Sequence, residues 1–100
     1  MSSTSYETQF QFSRALKVVR SMPINSRWQP PVNDKLQLYG LYKQATEGDC
    51  TVPKPSSRDI VRLAKWKAWD QLRHLSPVEA QKQYIILVID LITDVSEIIY

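Results

Sequence analysis

One hundred residues, 43% of them hydrophobic and 23% charged, describe a single globular domain with one modest core. The net charge of +3 comes without a dense Lys/Arg block, which fits an anionic small partner and argues against the broad basic face of a nucleic-acid binder. The single cysteine allows no internal disulfide, the first residues lack the basic and apolar stretches of a secretory signal, and the apolar run from Ile85 to Ile89 is far shorter than the roughly 20 residues of a membrane-spanning helix.

Helical spacing recurs along the chain, whereas strand-like alternation is missing. Residues 1–6 are expected to be a flexible start, with the folded domain over 7–97. A first helix is predicted over residues 7–21, because Phe12, Ala15, Leu16, Val19 and Met22 form one apolar stripe and Pro23 then ends it. After a loop through Pro30 and Pro31, Asn33 or Asp34 can cap a second helix that stops before Gly48. Pro53 and Pro55 mark an extended crossing loop. The Ser-x-x-Asp string Ser56 to Asp59 reads as a capping box opening a third helix that reaches Arg73. Ser76, Pro77 and Glu79 give a stronger start for a fourth helix, whose stripe is Ala80, Tyr84, Leu87, Val88 and Leu91 and whose end falls between 91 and 97. Its β-branched residues, Ile85, Ile86, Val88 and Ile89, lower its helix propensity. The expected architecture is all-α, a small four-helix bundle with a long crossover between the second and third helices.

Few residues suit catalysis. His74 and Cys50 are the only histidine and cysteine, no third group is placed to orient them, and they show no metal-ligand spacing. The bland reading is a helix-terminal or surface His74 and a loop Cys50. No Gly-rich phosphate loop exists. Binding residues are easier to find. Tyr39, Tyr42 and Lys43 share a face of the second helix by their i, i+3, i+4 spacing, which fits either core lining with hydroxyls at a rim or a ligand wall. Arg58, Arg62 and Lys65 make a cationic stripe on the third helix, either solvated or ligand-facing. Trp66 and Trp69 cannot both follow Lys65, so one is expected in the core. Tyr84 is either core or pocket wall, and Arg20, Arg27 and Trp28 could form a rim on the first loop.

Three ordered strings resemble the acyl-CoA-binding protein family over about 80 residues. Tyr39, Tyr42, Lys43, Gln44, Ala45 and Thr46, followed by Gly48 and Asp49, match its first hallmark, a tyrosine, two arbitrary residues, Tyr-Lys-Gln-Ala-Thr, and then Gly-Asp. Lys65, Trp66, Ala68 and Trp69 match Lys-Trp-x-Ala-Trp. Ser76, Glu79, Ala80, Tyr84 and Ile85 follow the third, with one more residue between Ser and Glu than its shorthand shows.

The resemblance implies an up-down-down-up four-helix bundle that binds medium- and long-chain acyl-CoA thioesters as a monomeric carrier and pool former, with no catalytic residue, metal or further cofactor. It implies a cytoplasmic carrier in transient contact with membranes or lipid-metabolising enzymes. The alternative is an acyl-CoA-sensing interaction domain of a larger, membrane-tethered protein, for instance on peroxisomes. The implied ligand residues are Tyr39, Gly40, Leu41, Tyr42, Lys43, Lys65 and Tyr84, then Val19, Arg20, Met22, Pro23, Arg27, Trp28 and Arg62. The tyrosines would meet adenine, and Lys43 and Lys65 the phosphates. Two departures stand out. Val61 occupies a place where many members carry lysine, a charge Arg58 or Arg62 could replace, and Pro55-Ser56 stands for a common Pro-Gly. The first loop, 23–34, is similar to that of larger, membrane-tethered members.

Overall fold

The computed structural model describes the backbone of residues 2–22 and 29–99 and the side chains of residues 5–22 and 29–93. Four helices and no strand are found among them: α1 (Ser2–Ser21), α2 (Val32–Glu47), α3 (Ile60–Asp70) and α4 (Pro77–Ile99). They form the expected all-α, up-down-down-up bundle.

The helix ends show which sequence signals the chain uses. α1 starts five residues before the predicted position, since the Ser/Thr-rich stretch contains no Pro or Gly to stop a helix. α2 begins on Pro31 rather than on Asn33 or Asp34, with no side-chain cap. Proline already holds φ at −55°, and its carbonyl accepts the first helical bond from Lys35 at 3.0 Å. Asp34 falls in the first turn instead, where its charge complements the helix dipole. Gly48 ends α2 at φ 83°, and its N–H donates to the Gln44 carbonyl. α3 is capped by Asp59, which accepts the Arg62 N–H at 3.2 Å, not by Ser56. Ser56 instead forms its own turn just upstream: its hydroxyl accepts from Arg58 N–H and its carbonyl from Asp59 N–H. α3 also ends at Asp70 rather than Arg73. Beyond it the bonds shorten to i→i+3, from Leu72, Arg73 and Leu75 N–H groups, and His74 reverses the chain at φ 74°. Ser76 caps α4 by accepting Glu79 N–H, and the β-branched run stays helical because its stripe is buried.

α4 is the hub. It packs against both α1 and α2, while α3 packs against α2. The core joins Phe12 and Ala15 of α1, Leu38, Leu41 and Ala45 of α2, and Ala80, Tyr84, Val88 and Leu91 of α4, all buried. Phe12 meets the Tyr84 ring edge-on, with centroids 5.2 Å apart and planes at 82°. α2 and α3 approach closely at Gly40, where a Cβ would collide with the Ala68 carbonyl oxygen and lie 2.8 Å from its carbon.

Asp49 ties the start of the crossing loop to the α3–α4 connection. Its Oδ1 accepts from Gln44 Nε2 at 2.8 Å and from the His74 N–H at 2.9 Å. Gln44, fully buried, also donates to the Leu75 carbonyl at 2.9 Å. Arg73 reaches back to the Cys50 carbonyl at 2.9 Å, and Cys50 is buried beneath the loop.

Two outcomes follow. Gly40→Ala should destabilise the fold by about 1–3 kcal/mol, read as a lower midpoint in chemical denaturation, because the obstruction is backbone and cannot rotate away. The Gln44 and His74 hydrogen bonds hold the Asp49 carboxyl below the ordinary aspartate range. A depressed folded pKa gives stability that is present above the unfolded value and lost as pH falls through the folded one. Stability measured below about pH 4 should therefore fall less steeply in Asp49→Asn than in the parent.

Candidate functional site

Because α1 and α2 each lean on α4 rather than on one another, a groove opens between them. It encloses about 640 Å³. Leu16, Val19, Arg20 and Met22 line it from α1 and its end, Leu38, Tyr39 and Tyr42 from α2, and Tyr84 from α4. Tyr84 is thus both core and wall: its ring is 3% exposed, yet it borders the groove. Burial pushes its phenol pKa up.

A second cleft, of about 280 Å³, lies between α2, α3 and the crossing loop. Arg62, Lys65, Trp66 and Trp69 line it with Val52 and the two prolines of the loop, and Tyr39 closes it on the α2 side. Tyr39 therefore stands between the two openings and lines both. The tryptophans divide as expected. Trp69 is the buried one and donates its Nε1–H to the Gly48 carbonyl at 2.8 Å, whereas Trp66 donates to the Val52 carbonyl at 2.7 Å and holds the loop against α3.

Both lysines of the predicted site rest on aromatic faces. Lys65 Nζ sits 4.7 Å from the Tyr39 ring centroid, and Lys43 Nζ 4.8 Å from that of Trp69. Lys43 also pairs with Glu47, one turn on, and that hydrogen bond raises its pKa. Arg62 is drawn to Asp59 at 3.5 Å.

The structure brings most, but not all, of the sequence-predicted site together. Val19, Arg20, Met22, Tyr39, Tyr42 and Tyr84 share the groove, and Tyr39, Arg62 and Lys65 share the second cleft. Lys43 lines neither, reaching the second only through the Trp69 ring. Gly40 and Leu41 lie outside both. Gly40 is pressed against the α3 backbone, and Leu41 is buried towards α4. Pro23, Arg27 and Trp28 fall outside the described residues. Sequence reasoning missed Leu38 and Lys35 in the groove, and assigned Leu16 to the core alone. Leu38 was signalled by its place one residue before Tyr39 and one turn before Tyr42. Among the described residues, no group of three or more His, Cys, Asp or Glu side chains could hold a metal.

Comparison with known proteins gives the family. The family model described as "Acyl CoA binding protein" matches residues 9–88. The chain belongs to the acyl-CoA-binding protein family. It is 44% identical over 88 residues to acyl-CoA-binding domain-containing protein 1 of Arabidopsis thaliana, covering 87% of this chain and 26% of that one. It is 40% identical over 75 residues to acyl-CoA-binding domain-containing protein 5A of Danio rerio, covering 75% and 15%. It is also 45% identical over 82 residues to enoyl-CoA delta isomerase 2 of Rattus norvegicus, covering 81% and 20%. The chain thus spans well under a third of each of these relatives. The crystal structure of Oryza sativa acyl-CoA-binding protein 2 superposes with a TM-score of 0.79 at 33% identity, covering 90% of this chain and 96% of that one.

Proposed function

We propose that this chain binds medium- and long-chain fatty acyl-CoA without transforming it, and acts as a carrier and reservoir for the thioester. The observation that carries the reading is the junction at Tyr39 of an apolar groove with a cation-lined cleft. A ligand with a fatty tail and a phosphorylated, flat-ringed head needs both kinds of surface side by side. In this reading the groove takes apolar parts of the ligand and the tyrosine rings offer faces for adenine. Lys43, Lys65 and Arg62 meet phosphates through charge-assisted hydrogen bonds. Each lysine is held in advance on a ring face, so a phosphate can draw it away at modest cost, since exposed contacts of this kind are weak.

The division of labour sets the energetics. Covering one methylene is worth about 0.8 kcal/mol, so several covered methylenes outweigh a single phosphate contact. Isothermal calorimetry should show affinity rising with acyl length and bare CoA binding much more weakly than palmitoyl-CoA. Equal affinities for the two would overturn the reading. Lys43→Ala should weaken palmitoyl-CoA binding by about tenfold or more while thermal stability stays close to the parent's. Glu47→Gln should tighten it by about twofold to fivefold, because the carboxylate that competes with phosphate for Lys43 is gone. Unchanged affinity in both variants would remove Lys43 from the site.

A further inference from the structure

α2 and α3 run side by side in the same direction. Tyr39 meets Lys65, Gly40 meets Ala68, and Lys43 meets Trp69, so residue numbers rise together along the pair. Both helices therefore begin at the same end of the bundle. That end carries apolar side chains with no cover among the described residues: Val32 on α2 is 71% exposed, and Ile60 and Val61 on α3 are 77% and 70% exposed. Val52 of the crossing loop, 51% exposed, borders the second cleft nearby. None of the three helix-start residues lines either cleft, so ligand binding does not account for them.

Cations neighbour these residues along the chain: Lys35 follows Val32 by three positions, and Arg58 and Arg62 bracket Ile60 and Val61. Lys35, Lys54, Arg58, Arg62 and Lys65 are all exposed. The carboxylates there are fewer and engaged or recessed: Asp59 caps α3 and faces Arg62, and Asp34 is half-buried in the first turn of α2. Aliphatic tips that stand singly among long basic side chains match a lipid headgroup region, where the tips enter the acyl boundary and the cations meet anionic headgroups.

We propose that the shared start of α2 and α3 is a docking surface for an anionic phospholipid bilayer. It orients the chain so that the cation-lined cleft, bordered by Val52, Arg62 and Lys65, stands at the membrane. The purpose, exchange of acyl-CoA with the bilayer, rests on the function proposed above. The surface itself does not.

The test is co-sedimentation of the full chain with vesicles of phosphatidylcholine and phosphatidylserine, against phosphatidylcholine alone. The parent should sediment with the anionic vesicles and be released by added salt. Ile60→Ser combined with Val61→Ser should cut that binding by about tenfold, while palmitoyl-CoA affinity in solution and helical circular dichroism stay as in the parent. Lys54→Glu, outside any helix, should weaken it as well. Two results would overturn the proposal: a parent that ignores anionic vesicles, or variants that sediment as it does. Loss of binding on Ile89→Ser instead would overturn it too, because it would put the contact on the exposed α1–α4 face. If the parent binds vesicles but not palmitoyl-CoA, the surface stands and the ligand reading falls.

Discussion

The close approach of α2 and α3 at Gly40 governs the geometry of the second cleft. A residue without a side chain lets the Ala68 carbonyl occupy the space a Cβ would need. That contact brings two backbones together, and the residues on either side of it inherit their distances. One residue before Gly40, Tyr39 comes under Lys65; further along, the Gln44 side chain meets the Leu75 carbonyl and the Trp69 indole meets the Gly48 carbonyl. A wider spacing would separate the cation from the ring and open the buried amide to solvent. Gly40 acts on the site through backbone position, although it lines neither opening.

The rest of the bundle is open by construction. Because α4 holds α1 and α2 apart, the bundle keeps a groove where a conventional four-helix arrangement would have a fourth packed interface. The cost is that much of one aromatic wall does double duty. Tyr84 contributes to the core through Phe12 and also lines the groove, so stability and binding draw on the same ring. The far end is made rigid by polar contacts instead. There Asp49, Gln44, His74 and Arg73 join α2, the crossing loop and the turn before α4.

Electrostatics at the site are local and loosely held. Lys43 and Lys65 sit on ring faces, and Lys43 and Arg62 have carboxylates three or four residues away on their own chain segment. Such contacts order long side chains at little energetic expense and are screened by salt. They keep the cations near the cleft without locking them into buried ion pairs, an arrangement suited to an anionic ligand that must come and go.

Much of this was determined by local sequence alone. Four helices followed from apolar spacing, the end of α2 from Gly48, and the start of α4 from Ser76, Pro77 and Glu79. The stripes of α1 and α4 were legible because a buried face repeats every three to four residues. The hallmark strings around Tyr39, Lys65 and Tyr84 named the tyrosine and tryptophan rings of the lining and one of its cations, Lys65. What failed were choices between equivalent local signals. Ser56 and Asp59 can each cap a helix, and Asp59 wins while Ser56 closes its own turn; Pro31 displaces Asn33 and Asp34 in the same way. Lys43's partner, Glu47, was present at i+4 spacing but could not be ranked against a ring one helix away. Which tryptophan is buried, why Gly40 is glycine, and that Tyr39 divides two openings were decided only by tertiary structure. Those facts depend on the distance between helices far apart in sequence, a property of packing that no periodicity within one helix contains.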